Sequence, residues 1–496
     1  MNGAKALIRC HTKPYPIAKS TATPVRGDIF PVTLKRTMGK RTKIVATLGP
    51  ACASEDILAS MAHAGMDLVR INTAHGSPAD HERYIKLARE AGRAAGRPLG
   101  IVLDTQGPKV RLGELPGEIS LAPGNEVILG EGGIPLRHGD LPRFVPAGRR
   151  VLLGEGAVEL LVVEQSHRAL RCRVLRGGVV SSGKGVNVPG VELPYPSLTP
   201  SDRDSLRMAA ELGVEYVALS FVKSPADVDE AREYVGDRTR VIAKVELKVA
   251  TERMEDIVSA ADGVMVARGD LGVEIGPYHV PVVQKRLVDL CNARAKPVIV
   301  ATQMLRSMVE SPVPTRAEVN DVATAVWDGA DGVMLSEETA VGRYPVEAVR
   351  AMAEAAQAAE ESGFPIRVPG LVPELVGQVP GACAKAAVGI ARDIGARAII
   401  CATVSGWTAR LVASLRPDMP VVAATPEEGV ARALALVWGV IPLTITPTEG
   451  TDALAEASIQ AAKERGIVQK GDRVVFTAGL PFWKAGTTNL VRVLTA

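Results

Sequence analysis

The stretch "TRVIAKVELKVATERMEDIVSAADGVMVARGDLG", residues 239–272, decides how the rest of the chain is read. It opens and closes on short runs rich in Val, Ile and Met, and the segment between them carries apolar residues at helical spacing. Strand, helix and strand in that order make a βαβ unit with parallel strands. Each run also ends in polar residues, Lys244 and Glu246 on the first, Arg268 and Asp270 on the second.

The same alternation extends in both directions from this unit. Before it come "TKIVATLG" (42–49), "MDLVRINTAH" (66–75), "PLGIVLDTQG" (98–107) and "EYVALSFV" (215–222); after it come "KPVIVATQM" (296–304) and "DGVMLSEET" (331–339). Eight such units predict an α/β chain built on a closed (β/α)8 TIM barrel. Spacing is short except between the third and fourth strands. There, "GEISLAPGNEVILGEGG" and the run from Arg149 to Gly190 alternate apolar with polar residues between glycine turns. This predicts a small antiparallel, β-barrel-like domain inserted at 114–198, placed to close like a lid over the barrel formed by 41–113 and 199–365. Beyond a Pro/Gly-rich connection, "RAIICATV", "MPVVAATP", "VIPLTI" and "DRVVFTAG" alternate with helical stretches. They predict a C-terminal α/β domain, 366–496, with an open parallel sheet.

Residues 1–40 differ from the rest: eight Lys or Arg stand against Asp28 alone, with prolines at 14, 16, 24 and 31. This reads as a disordered basic extension, with an organellar targeting segment as the sharper alternative. In the whole chain of 496 residues, 47% are apolar, 23% charged and 3% aromatic, and the formal charge is +3. That balance points to no nucleic-acid partner and to no stacking platform for one. No apolar run approaches a membrane span. Six cysteines are scattered without C-x-x-C pairs or metal-ligand spacing, which fits buried thiols in a reducing, cytoplasmic compartment.

The polar residues at the strand ends carry the chemistry. Arg70 and Asn72, Asp104, Lys244 and Glu246, Arg268 and Asp270, Thr302, and Ser336 with Glu338 end six of the eight strands. All converge on the C-terminal mouth of a barrel, where this architecture holds its active sites. Glu246 and Asp270 are hard oxygen ligands suited to Mg2+ (or Mn2+), which takes one or two carboxylates and leaves room for substrate oxygens. Arg70 and Lys244 are cations that neutralise a phosphoryl group and an enolate-like oxygen. The "ARGDLG" turn offers N–H groups to a carboxylate or phosphate. Together they favour phosphoryl transfer on a small anionic substrate.

The motifs "TKIVATLGPA", "GMDLVRIN" followed by "HG", "LDTQGPKVR", "GKGVNVPG", "ADGVMVARGDLGVEI", "KPVIVATQML", "PTRAEVNDVA", "DGVMLSEETAVGRYPVEAV" and "SGWTARLVASLRP" closely resemble those of the pyruvate kinase family, across 41–496. The resemblance implies transfer of a phosphoryl group from phosphoenolpyruvate to ADP, giving pyruvate and ATP in glycolysis. It implies that Lys244 stabilises the transferring phosphoryl group and the enolate. Glu246 and Asp270 would bind Mg2+, Arg70 would grip the substrate phosphate, and Gly269, Asp270 and Thr302 would hold the substrate carboxylate. His75, Arg111 and Lys184 match nucleotide contacts. Ser336 and Glu338 match a pair that orders water for enolpyruvate protonation.

In the resemblance most members place K+ near Asn72, Asp104, Thr105 and their neighbours, with a glutamate where this chain has Lys109. Members with lysine there do not need K+, and Ala74 stands where potassium-dependent members have a serine; both predict a K+-independent enzyme. Leu247, Ala250, Glu337 and "GEG" at 154–156 depart from the family pattern around the metal carboxylate, Ser336 and the lid. In the C-terminal domain, Ser405 and Thr408 of "TVSGWTA" match an effector loop, for a phosphorylated sugar or a nucleotide or none. A homotetramer is the family expectation. Two rival readings are a non-catalytic regulatory paralogue, motivated by those departures, and a metal-dependent lyase acting on pyruvate or phosphoenolpyruvate.

Overall fold

The computed structural model describes residues 39–448, 450–481, 484 and 486–496. The first 38 residues of the basic extension lie outside the described residues. Lys40, read as part of that extension, belongs to the folded unit: its ammonium pairs with Asp67 and donates to the Thr42 carbonyl (3.2 Å).

Eight parallel strands close into a barrel: β1 (Lys43–Thr47), β2 (Leu68–Asn72), β3 (Gly100–Asp104), β4 (Tyr216–Leu219), β5 (Arg240–Val245), β6 (Gly263–Ala267), β7 (Val298–Ala301) and β8 (Gly332–Leu335). Neighbours in the chain are neighbours in the sheet, and β8 returns to β1 with Lys43 opposite Gly332. One set of side chains packs outward against the helices. The alternate set, including Val45, Leu68, Val102, Ile242, Met265, Ile299 and Met334, fills the interior. Four connecting helices open with reciprocal side-chain caps, Ser77 with Asp80, Thr199 with Asp202, Ser224 with Asp227 and Thr315 with Glu318. Asp202 also accepts from the N–H groups of Gln106 (2.9 Å) and Gly107 (3.2 Å), so a helix cap anchors the loop leaving β3.

Between β3 and β4, five antiparallel strands run in the order Val186–Asn187, Arg150–Leu153, Val158–Gln165, Ala169–Arg176, Glu126–Gly130, and a two-stranded sheet pairs Ile119–Leu121 with Gly178–Val180. Both sheets share one core that includes Leu129, Leu160, Cys172 and Val180.

The C-terminal sheet has the order Val440–Thr444, Val421–Thr425, Ala398–Ala402, Arg473–Gly479, Thr488–Thr495. Four of its strands are parallel, as the sequence predicts. The fifth, Thr488–Thr495, is an antiparallel edge added to Arg473–Gly479, which corrects the expectation of an all-parallel sheet. Its partner is its neighbour in the chain, so it needs no crossover helix.

This region also plugs the barrel. Ala433, Ala435 and Leu436 join the interior core at the end where the strands begin, and the Tyr216 hydroxyl donates to the Ala433 carbonyl (2.8 Å). At Gly100 a Cβ would stand 2.8 Å from the Arg432 carbonyl oxygen, so only glycine admits the close approach. Arg416 is buried beside it, bonded to Asp331 (3.1 Å) and the Asn292 side chain (2.7 Å) and stacked on Trp438 at 4.9 Å. With that end closed, the C-terminal mouth is the open one. Among the described residues no helix is long and apolar enough to cross a membrane.

Candidate active site

Lys244, on β5, is the centre of the mouth. Its ammonium lies 3.0 Å from Asp104 and 2.9 Å from Glu246 and donates to the Ser220 hydroxyl at 2.6 Å. Arg70, on β2, donates to the other oxygen of Asp104 (2.6 Å) and to the Thr47 hydroxyl (3.0 Å). Parallel strands in register bring these residues level, Asn72 opposite Asp104 on β2 and β3, and Lys244 opposite Met265 on β5 and β6. Burial pushes the Lys244 ammonium down, but Asp104 and Glu246 outweigh it and hold it above the ordinary lysine range. Burial pushes the Asp104 carboxyl up, yet Lys244 and Arg70 leave it below its usual value. Lys244 is therefore a fixed cation at neutral pH.

Glu246 is buried, and its second oxygen accepts from the Phe221 N–H (2.8 Å). Its carboxyl is raised, by burial first and by the nearby Asp270 charge, with Lys244 opposing. Two neighbouring carboxylates that repel each other, Glu246 buried and Asp270 partly exposed, suit a hard divalent cation whose remaining ligands would be substrate oxygens. Among the described residues no group of three or more His, Cys, Asp and Glu is placed to hold a metal ion.

Asp270 sits in the first turn of the helix Arg268–Ile275, directly after β6. Its carboxylate accepts from the Lys109 ammonium at 2.6 Å. Among the described residues Lys109 makes no bond to Asn72, Asp104 or Thr105, the group with which the sequence associates it. Asn72 instead accepts from the Ala74 N–H (3.1 Å), and the Thr105 hydroxyl donates to the Ala218 carbonyl (3.2 Å). The lysine side chain spans away from β2 and β3 toward β6.

Gly269 donates its N–H to the Thr302 hydroxyl (2.9 Å), which unites the three expected carboxylate-holding residues Gly269, Asp270 and Thr302. Thr302 and Gln303 have φ of 69° and 56°, a conformation uncommon for any residue but glycine and rarest for a β-branched one such as Thr302. Arg268 pins them there, donating to the carbonyls of Ala301 (3.2 Å) and Thr302 (2.7 Å) while both oxygens of Asp321 hold its guanidinium (2.8 and 2.7 Å).

A family model described as "Pyruvate kinase, barrel domain" matches residues 39–349, and one described as "Pyruvate kinase, alpha/beta domain" matches 381–494. The chain belongs to the pyruvate kinase family. Its relatives include a pyruvate kinase of Agrobacterium vitis, 44% identical over 466 residues that cover 92% of this chain and 96% of the relative. Pyruvate kinase 2 of Synechocystis is 42% identical over 469 residues, 92% of this chain and 79% of its own. The pyruvate kinase of Geobacillus stearothermophilus is 40% identical over 474 residues, 92% and 80% of the two chains. The chain is thus an enzyme of the pyruvate kinase family, a transferase of glycolysis.

The family's other expected residues are less tightly grouped. Arg111 donates to the Gly183 carbonyl (3.1 Å), and Leu112 donates to the carbonyl of Lys184 (2.8 Å), so Arg111 and the exposed Lys184 lie together where the lid joins the barrel. His75 is exposed after β2, its carbonyl accepting from His81 (2.7 Å), and bonds neither of them. Glu338 is buried with its carboxylate on the N–H groups of Ser336 (2.7 Å) and Leu305 (3.1 Å), joining the loops after β7 and β8. The Ser336 hydroxyl is buried with no hydrogen-bond partner among the described residues. Ser405 and Thr408 line a small, partly open pocket with Thr403, Lys484, Thr487 and Thr488, and the Thr408 hydroxyl is paired with that of Thr488 at 2.6 Å.

Two site residues escape a reading of the sequence, Thr47 and Ser220. They follow the apolar runs of β1 and β4, the two strands for which no rim residue was expected. A hydroxyl ending an apolar run at the same place as its neighbours' charges is the signal that would have found them.

Proposed function

We propose that this enzyme transfers the phosphoryl group of phosphoenolpyruvate to ADP, giving pyruvate and ATP, with Mg2+ (or Mn2+) and without a requirement for K+. The observation that carries the reading is the buried Lys244 ammonium, held at full charge between Asp104, Glu246 and Ser220 with Arg70 alongside. In that position Lys244 offsets negative charge on the transferring phosphoryl group and on the enolate it leaves. Arg70, oriented by Asp104 and Thr47, binds the substrate phosphate. Gly269, Asp270 and Thr302 hold the substrate carboxylate, and Ser336 orders water for protonation of enolpyruvate, with Glu338 fixing its backbone. Glu246 and Asp270 would hold a divalent cation, which would supply Lewis-acid neutralisation of developing negative charge. His75, Arg111 and Lys184 bind the nucleotide.

Independence from K+ rests on Lys109, an ammonium carried on the loop after β3, and on Ala74, which offers no hydroxyl ligand and whose N–H occupies the Asn72 oxygen. A phosphorylated sugar or a nucleotide at Ser405 and Thr408, a homotetramer and a cytoplasmic site of action complete the proposal. The lyase reading fails to account for the matched C-terminal domain, and the intact set Arg70, Lys244, Glu246, Asp270 and Thr302 disfavours a non-catalytic paralogue.

The test is pyruvate formation from phosphoenolpyruvate, ADP and Mg2+ in buffer free of K+ and NH4+, then with K+ added. Full turnover without K+ is expected, and turnover only with K+ refutes the role given to Lys109. Lys244→Met is expected to abolish turnover in a folded protein; unaltered turnover refutes its assignment.

A further inference from the structure

Lys109 lies on the segment that leads from β3 into the lid, just before the chain begins to pair with lid residues 184–186. From the next residue the chain is paired with it: Val186 donates to the Val110 carbonyl (2.9 Å), Arg111 lies opposite Gly185, and Leu112 donates to the Lys184 carbonyl (2.8 Å). The lysine stem passes over the lid backbone, its Cε 3.4 Å from where a Cβ on Gly185 would stand, and its ammonium ends 2.6 Å from Asp270. One side chain therefore lies across a lid strand and terminates on a carboxylate of the barrel mouth. Both carboxylates that would hold the divalent cation carry a lysine counter-ion, Glu246 that of Lys244 and Asp270 that of Lys109. The two lysines differ in freedom. Lys244 is buried among three partners, whereas Lys109 and Asp270 are 23% and 27% exposed and Lys109 has Asp270 as its one ion-pair partner among the described residues.

We propose that Lys109 and the divalent cation compete for the Asp270 carboxylate, so that metal binding releases Lys109 and with it one attachment of the lid hinge. The proposal rests on the reading of Asp270 as a metal ligand. An ammonium and a divalent cation on one carboxylate repel each other, and the more weakly held group gives way. Releasing the lysine frees it for the electrostatic role near Asn72 and Asp104 that potassium independence requires.

The experiment is Mn2+ titration of the full-length protein without substrates, followed by electron paramagnetic resonance of free Mn2+. Lys109→Met keeps the stem and removes the charge, and should lower the Kd for Mn2+ about fivefold, the upper range for a partly exposed ion pair; Lys109→Arg should stay near wild type. A Kd for Lys109→Met that is unchanged or raised overturns the proposal. Asp270→Asn separates the two levels: wild-type Mn2+ affinity in that variant overturns the metal reading of Asp270 itself. Hydrogen exchange on the unaltered protein needs no variant. Adding Mn2+ should speed amide exchange in 109–113 and 183–187, and unchanged or slowed exchange there overturns the link to the lid.

Discussion

Arg268→Met tests how the rim at Gly269 and Thr302 is kept in shape. Thr302 and Gln303 are both in the left-handed region, at φ 69° and 56°. Each such residue costs about 1–3 kcal/mol, so together they cost about 2–6 kcal/mol. The Arg268 guanidinium bonds the carbonyls of Ala301 and Thr302, and a hydrogen bond from a charged donor contributes about 1.5–3 kcal/mol, so the pair contributes about 3–6 kcal/mol. The two ranges match, which makes Arg268 the group that holds the turn. Without it the turn relaxes and the Thr302 hydroxyl leaves the Gly269 N–H. The measurement is steady-state pyruvate formation at saturating ADP and Mg2+ with phosphoenolpyruvate varied. We expect kcat/KM to fall about 100-fold, equivalent to about 2.7 kcal/mol, with KM for phosphoenolpyruvate rising more than kcat falls. Arg268→Lys, which cannot span Asp321 and both carbonyls at once, should fall between the two. A folded Arg268→Met enzyme with kcat/KM within about threefold of wild type would refute the reasoning, since less than about 0.7 kcal/mol would then depend on the guanidinium.

Arg416→Met leaves Asp331 buried at the base of the barrel without its cation, and should destabilise the protein by about 3–5 kcal/mol, read as a lower urea midpoint; a loss under about 1 kcal/mol would contradict that account. Glu274, in the helix after β6, is raised by burial from 4.5 to about 7, against the Gly190 and Lys248 N–H groups. The folded protein thus keeps this proton where the unfolded chain has lost it, so the group's contribution to stability is fully present below pH 4.5 and is lost as pH rises toward about 7. Glu274→Gln should flatten the fall in Tm across that window and raise Tm above it, and a parallel pair of Tm curves would count against the assignment.

Much of the architecture is local and was readable residue by residue. Strands buried on both faces must be apolar throughout, so the barrel declares itself as Val- and Ile-rich runs, and any polar residue ending such a run stands out. That is why Arg70, Asp104, Lys244, Glu246, Asp270 and Thr302 could be named together. The parallel C-terminal strands announced themselves in the same way. The edge strand Thr488–Thr495 did not, because only one of its faces is covered and its residues are mostly half-buried or exposed.

What the tertiary structure decided are contacts between positions far apart in the chain. Nothing near Ala433 and Leu436 marks them as the floor of a barrel, and nothing beside Arg268 marks Asp321 as its partner. The spacing of Lys109 from Asp104 suggests that the two meet, since they share one loop; the three-dimensional path instead carries the ammonium to Asp270. Sequence alone settles which residues are charged and which strand each one ends, because periodicity and composition are properties of neighbours along the chain. Which charge faces which is set by barrel closure and by the lid, because a long side chain goes to the partner that the assembled fold brings within hydrogen-bond reach.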